Sequence, residues 1–342
     1  MVSPGAGALP HVVSVVVPVY RGERTLPGLC AEIGPLTEPF ATPDGHQVRV
    51  GEVLLVFDNG PDRSAEVIRT LAAEHPFVRP VWLSRNFGQH AATLAGMSSS
   101  GGDWVVTLDE DGQHDPRDIA RLLDVAMREQ ASVVYARPTN APPHGRFRNL
   151  TSRAAKWVVD KLVGGQASAS YHSYRLMLGE IARGVGAYAG AGVYLDVALG
   201  WIAGRVTTCP VEMREEGRRE SGYTLRTLAS HFWRMVLTSG TRLLRLVSVL
   251  GVVFGVLGLV IAVVLAVVRL TGSITVAGWT SVMVVVLVGT GAVLFSLGIV
   301  AEYLGVAVNM AMGKPLYLIT SDPKYGPLGR EPTSRDLDAE QP

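Results

Sequence analysis

Asp109 and Asp111 stand at the end of a short apolar run, Val105-Val-Thr-Leu-Asp-Glu-Asp-Gly-Gln-His-Asp-Pro116. Two like charges held this close repel unless a cation sits between them, and oxygen-only ligands favour Mg²⁺ or Mn²⁺. Such a cation is what a pyrophosphate-bearing donor needs. An isolated Asp-x-Asp also recurs by chance and reads equally as a solvated acidic turn, so the rest of the chain has to decide. A second group is cationic. Arg146, Arg148 and Arg153 lie in the basic stretch 144–153, either as a solvated helix face or as a cradle for phosphate oxygens, which arginine grips bidentately.

The elements that must position these side chains follow from the pattern. Residues 11–17, 52–57, 78–83, 105–108, 132–136 and 206–211 are β-branched, apolar runs, and most end in polar turns: Pro18 to Glu23, Asp58-Asn-Gly-Pro-Asp62, Ser84-Arg-Asn-Phe-Gly88, and the acids from Asp109. Helices follow, over 64–74 and from Gly88 to Met97, with Asp115 as N-cap and Pro116 as first residue of another. Strands alternating with helices predict an α/β fold with a doubly wound, mostly parallel sheet whose turns cluster at one edge, where open sheets bind ligands. Residues 34–51 read as a loop, and 165–174 as a small, polar stretch ending at Arg175. Residues 213–223 form a charged loop.

Net charge is +1 over 342 residues, so nothing points to nucleic acid. Residues 246–268 and 279–301 carry no ionisable side chain, and each is long enough to cross a bilayer. Arg242 and Arg245 precede the first, Lys314 and Lys324 follow the second, and only Arg269 lies between; the positive-inside rule then puts a multi-pass protein in the plasma membrane with its large domain, 1–223, in the cytoplasm. No cleaved signal peptide is visible. Residues 224–245 combine arginines with Phe232 and Trp233 and predict an interfacial amphipathic helix. The sequence thus divides into that domain, the interfacial helix, a two-helix transmembrane hairpin over 246–319, and a polar tail over 320–342 expected to be disordered. Cys30 and Cys209 read as packed thiols rather than a disulfide.

Together these turns resemble the family 2 glycosyltransferases of GT-A (Rossmann-like) fold. The likeness is to the membrane-anchored polyprenyl-phosphate group, which includes dolichyl-phosphate mannose synthase and bacterial undecaprenyl-phosphate glucosyltransferases. Val16-Val-Pro-Val-Tyr20 resembles the family's opening Val-Pro-x-Tyr-Asn-Glu, with Arg21 and Gly22 in place of Asn and Glu and Glu23 one position late. Asp58-Asn-Gly-Pro-Asp62 resembles its Asp-Gly-Ser-x-Asp turn, and Leu83-Ser-Arg-Asn-Phe-Gly88 matches without departure. Asp109-Glu-Asp-Gly-Gln113 resembles Asp-Ala-Asp-Leu-Gln. Ala301-Glu-Tyr-Leu-Gly305 and Lys314-Pro-Leu-Tyr-Leu-Ile319 resemble the sequence closing the second span of bacterial members. The Arg-x-x-Gly-x-Ser-Gly-Tyr loop is present from Arg214 to Tyr223 with its glycine displaced, so Arg214, Arg218 and Arg219 compete for one role.

The resemblance implies an inverting transfer from a nucleotide sugar, UDP-glucose by the form of the C-terminus, to polyprenyl phosphate. Asp109 and Asp111 would be catalytic, with Pro18, Tyr20, Glu23, Asp58 and Asp109 around the nucleotide sugar. Asp111 and Gln113 would hold Mg²⁺ or Mn²⁺, and Arg137, Arg148, Arg214 and Arg218 the acceptor phosphate. No residue near Arg175 matches a catalytic base, and a phosphate dianion needs none. A homo-oligomer and a separate flippase are expected partners. The alternatives are GDP-mannose as donor, a catalytically silent membrane scaffold, and a processive polysaccharide synthase, which would carry a Gln-x-x-Arg-Trp run absent here.

Overall fold

A computed structural model of the chain describes residues 9–140, 172–190, 193–214, 278–313 and 315–326, with part of the stretch between 247 and 267. Its centre is β1 (His11–Val19), a strand buried from Val13 to Val19. Both faces of β1 are covered, which is why it reads as a continuous apolar run rather than an alternating one. Its odd-numbered valines face α1 (Leu26–Ile33), α2 (Ser64–Glu74) and α4 (Ile119–Glu129). Val16 faces the other layer: α3 (Gln89–Ser99), α5 (Gly179–Tyr188) and α6 (Leu195–Ile202). Gly96 lets α3 approach the sheet, since a Cβ there would lie 2.3 Å from Val16 Cγ1 and 2.9 Å from Val56 Cγ2.

The remaining strands are β2 (Phe40–Ala41), β3 (Gln47–Phe57), β4 (Val78–Leu83), β5 (Trp104–Thr107), β6 (Val133–Pro138), β7 (Arg175–Leu178), β8 (Val206–Val211) and β9 (Ile319–Thr320). They form one sheet in the order β8-β6-β7-β5-β1-β3-β4-β9, with β2 on β3. The pairs β1–β3, β1–β5, β3–β4 and β6–β8 are parallel. Pairs β2–β3, β4–β9, β5–β7 and β6–β7 are antiparallel, so the sheet is mixed, where the sequence predicts a mostly parallel one. The correction centres on β7. Only four residues separate its polar lead-in from the helix at Gly179, too few for a periodic signal, yet they fill the gap between β5 and β6. Residues 34–51 are likewise not a loop throughout: β3 starts at Gln47 because Val48 and Val50 are buried beside β1.

α7 (Trp279–Ala311) is a 33-residue helix. Its stretch Val288–Asn309 is long and apolar enough to cross a membrane, and only 6% of its most apolar window is buried, unlike a core helix. The first expected span, 246–268, is described only in part, so among the described residues there is one candidate spanning helix where two are expected. The interfacial helix over 224–245, Arg148 and Arg218 lie outside the described residues. Residues 321–326, the start of the stretch expected to be a disordered tail, lie against the sheet domain, with Asp322 paired to Arg69 at 2.7 Å. Cys30 and Cys209 are buried free thiols, and burial pushes Cys30 up to about 11.

Candidate active site

Four parallel strands, β1, β3, β4 and β5, run out at the same edge, and their turns bond to one another. The two closest turns meet at Gly60, where a Cβ would lie 1.6 Å from the Tyr20 carbonyl oxygen. Asn59 beside it takes φ 52, and its amide nitrogen donates to the Leu83 carbonyl at 2.5 Å. Asp58, 3% exposed, accepts the N–H groups of Phe87 and Gly88 at 2.7 and 2.8 Å, and burial raises its pKa despite those donors. Asp58 therefore holds the 84–88 turn in place. Any contact it makes with a base uses its remaining lone pairs.

Glu110, which sequence reasoning passed over, ties the acidic loop to the end of β1. Its carboxylate accepts the N–H groups of Tyr20 and Arg21, each at 2.9 Å. Glu23, expected near the nucleotide sugar, lies against the neighbouring turn. Its own N–H donates to Asp62 at 3.2 Å and its carboxylate accepts from the Arg63 N–H at 3.3 Å, so it braces the 58–62 turn. Pro18 is buried within β1 opposite Val56, and Tyr20 at the strand's end is 41% exposed.

Asp109 is held by uncharged partners. It accepts from Gln89 Nε2 at 2.7 Å and from the Ser173 hydroxyl. Its own N–H donates to His114 Nδ1 at 3.0 Å, which leaves the imidazole proton on Nε2, 3.9 Å from Asp109 Oδ2. His114 is 2% exposed and stacks on Tyr174 at 4.8 Å; burial pushes its pKa down to about 3, with His172 adding to the effect. This neutral histidine was legible only as a polar neighbour of Gln113. Ser173 and His172 come from the stretch where no acid matched the family, and β7 carries them to Asp109.

Asp111 and Gln113 flank Gly112, whose φ of +77 turns the loop back on itself. One Asp111 oxygen accepts the Gln113 N–H at 3.0 Å; the other has no hydrogen bond among the described residues. No group of three or more His, Cys, Asp or Glu among the described residues is arranged around an ion. The half-buried carboxylate and amide oxygens nonetheless suit a hard divalent cation, which keeps several coordination positions for water and phosphate oxygens.

Arg214 reaches the same loop from β8, its N–H donating to the Gln113 carbonyl at 3.0 Å. Its guanidinium is held by Glu32 at 2.8 Å and Asp115 at 2.9 Å. Of the arginines expected at the acceptor phosphate, Arg214 is thus committed to two carboxylates, and Arg137 is exposed at the end of β6.

The model of glycosyl transferase family 2 matches residues 14–182. The undecaprenyl-phosphate 4-deoxy-4-formamido-L-arabinose transferase of Edwardsiella ictaluri is 30% identical over 311 residues, covering 90% of this chain and 93% of that one. The protein of the same name from Pseudomonas fluorescens Pf-5 is 32% identical over 310 residues, covering 90% and 89%. Among solved structures, glucosyl-3-phosphoglycerate synthase from Mycobacterium tuberculosis, in complex with Mn²⁺, UDP and phosphoglyceric acid, aligns with a TM-score of 0.47 at 18% identity, covering 68% of this chain and 78% of that one. With a family match over the strands and turns of the site, and relatives alike along nearly their whole length, this chain belongs to the family 2 polyprenyl-phosphate glycosyltransferases.

Proposed function

We propose that the protein transfers a sugar from a nucleotide sugar to polyprenyl phosphate at the cytoplasmic face of a membrane, with inversion at the anomeric carbon. The observation that carries this reading is the convergence of Asp109, Asp111 and Gln113 with the turns at 20–23, 58–62 and 84–89 on one sheet edge, in a chain that also carries an exposed apolar helix, α7. Asp109, kept in place by Gln89, Ser173 and His114, contacts the nucleotide end of the donor. Asp111 and Gln113 would hold Mg²⁺ or Mn²⁺, which when bound supplies charge neutralisation for the departing diphosphate. The acceptor phosphate is largely a dianion at neutral pH and attacks without losing a proton, so the protein's work is to position and to neutralise. Arg137 and Arg148 serve the acceptor; Arg214 braces the acidic loop.

The relatives do not single out UDP-glucose, the donor suggested by the C-terminal sequence; their names carry a formamido-arabinose. The test is therefore a panel. Full-length protein is incubated with polyprenyl phosphate and labelled UDP-glucose, GDP-mannose or nucleotide-activated 4-deoxy-4-formamido-L-arabinose, with and without EDTA, and the lipid fraction is counted. One donor is expected to label the lipid, EDTA to abolish the label, and Asp111→Ala to lower the rate about a hundredfold or more. No labelled lipid from any donor together with no metal-dependent nucleotide binding by calorimetry supports the silent scaffold instead.

A further inference from the structure

We propose that residues 315–326 are a strap that sets the height and tilt of the active site over the bilayer, with Tyr317, Asp322 and Arg69 as its positioning residues. The segment leaves α7 through a turn at Gly313, φ +63, and returns to the sheet. Leu316 and Tyr317 pack against the core beneath α3, and the Tyr317 hydroxyl lies 2.8 Å from Ser98 Oγ. β9 then pairs with the outer edge of β4, Ile319 opposite Leu83 and Thr320 opposite Trp82. The Ser84 N–H donates to the Leu318 carbonyl at 3.0 Å. Arg69 of α2 closes the far end: Nε and Nη2 each donate to Asp322 at 2.7 Å, and the guanidinium lies 4.9 Å from the Trp82 ring centroid.

Two features make this more than a covered edge. The strap grips the elements that feed the site: α3 begins at Gln89, which holds Asp109, and β4 runs into the turn that Asp58 holds. It also follows the membrane helix closely. Residues 312–314, fully extended, span roughly 10 Å, so the domain has little room to drift from α7. An isolated surface ion pair contributes little, but a bidentate one shielded by an aromatic ring and backed by strand pairing defines an orientation. The proposal rests on the reading that the acceptor is a membrane-embedded polyprenyl phosphate, whose phosphate waits at a fixed depth.

The test uses full-length protein in vesicles, comparing wild type, Arg69→Ala, Asp322→Ala and the exchanged pair Arg69→Glu/Asp322→Arg. A dye on Ala73→Cys of α2 transfers energy to acceptor-labelled lipid and reports the distance of the domain from the bilayer. The buried Cys30 and Cys209 stay unlabelled. Each single variant is expected to broaden that distance and to slow transfer to long-chain polyprenyl phosphate about tenfold, with less than about a twofold effect on a short, water-soluble polyprenyl phosphate. The exchanged pair restores both. Equal losses on both acceptors with an unchanged distance, or no loss at all, would overturn the strap. If wild type transfers sugar to neither acceptor, the functional reading fails, and the energy-transfer measurement still decides the strap.

Discussion

Asp109 depends on a shell of uncharged partners, and His114 is the one whose chemistry can be read in solution. Burial holds its pKa near about 3, below the ordinary 6.5. Below 6.5 the unfolded chain takes up a proton that the folded one refuses until about 3, so this residue makes folding less favourable as pH falls through that window. His114→Gln, whose amide oxygen can still accept the Asp109 N–H, is expected to flatten the acid side of the stability profile by up to about 1 kcal/mol per pH unit. Thermal midpoints of both proteins at pH 7 and pH 5 check this; parallel profiles would show that the imidazole is not held neutral. Asp58→Asn belongs to the same scale. An amide has one acceptor oxygen for two N–H donors, so the 84–88 turn loses a bond, at a cost of about 1–3 kcal/mol, and nucleotide affinity by calorimetry should fall with it.

Among the elements, the turns matter more than the strands that carry them. The 58–62 turn lies so close to the end of β1 that Gly60 has no space for a side chain. Gly60→Ala must push the Tyr20 backbone away, and overpacking of this kind costs about 1–3 kcal/mol. Because Tyr20 and Arg21 also anchor Glu110, the acidic loop should shift too. The expected signature is a lower thermal midpoint together with weaker nucleotide binding; a variant that binds nucleotide like wild type would show that the two turns do not act as one unit. β7 is the element that pattern reading could not supply. Its Arg175 forms a buried ion pair with Asp196 of α6, and the Tyr135 hydroxyl donates to the same carboxylate at 2.9 Å. Its lead-in delivers Ser173 to Asp109.

For the molecule as a whole, the sheet and the apolar helix are joined through β9. Truncation after Lys314 would leave the outer edge of β4 unpaired, with its row of backbone donors and acceptors open to another chain. We expect the truncated protein to aggregate on size-exclusion chromatography and to melt lower by about 4 °C or more. A monodisperse protein with an unchanged midpoint would show that β9 contributes nothing to the edge.

What the amino-acid order determined by itself was whatever repeats locally or turns sharply: the apolar run of β1, α2 over Ser64–Glu74, the polar turns, the Asp115 cap on Arg117 at 2.9 Å, and the acids at one sheet edge. These follow from side-chain period, backbone freedom and short-range hydrogen bonding, which neighbours in sequence settle. Only the tertiary structure decided that β7 runs antiparallel between β5 and β6, that Glu110 closes on the end of β1, that His114 is buried and neutral, and that the residues after α7 return to pair with β4. Each of those joins segments dozens to hundreds of residues apart, or depends on how fully a group is buried. Such contacts are set by packing, and no local pattern carries them.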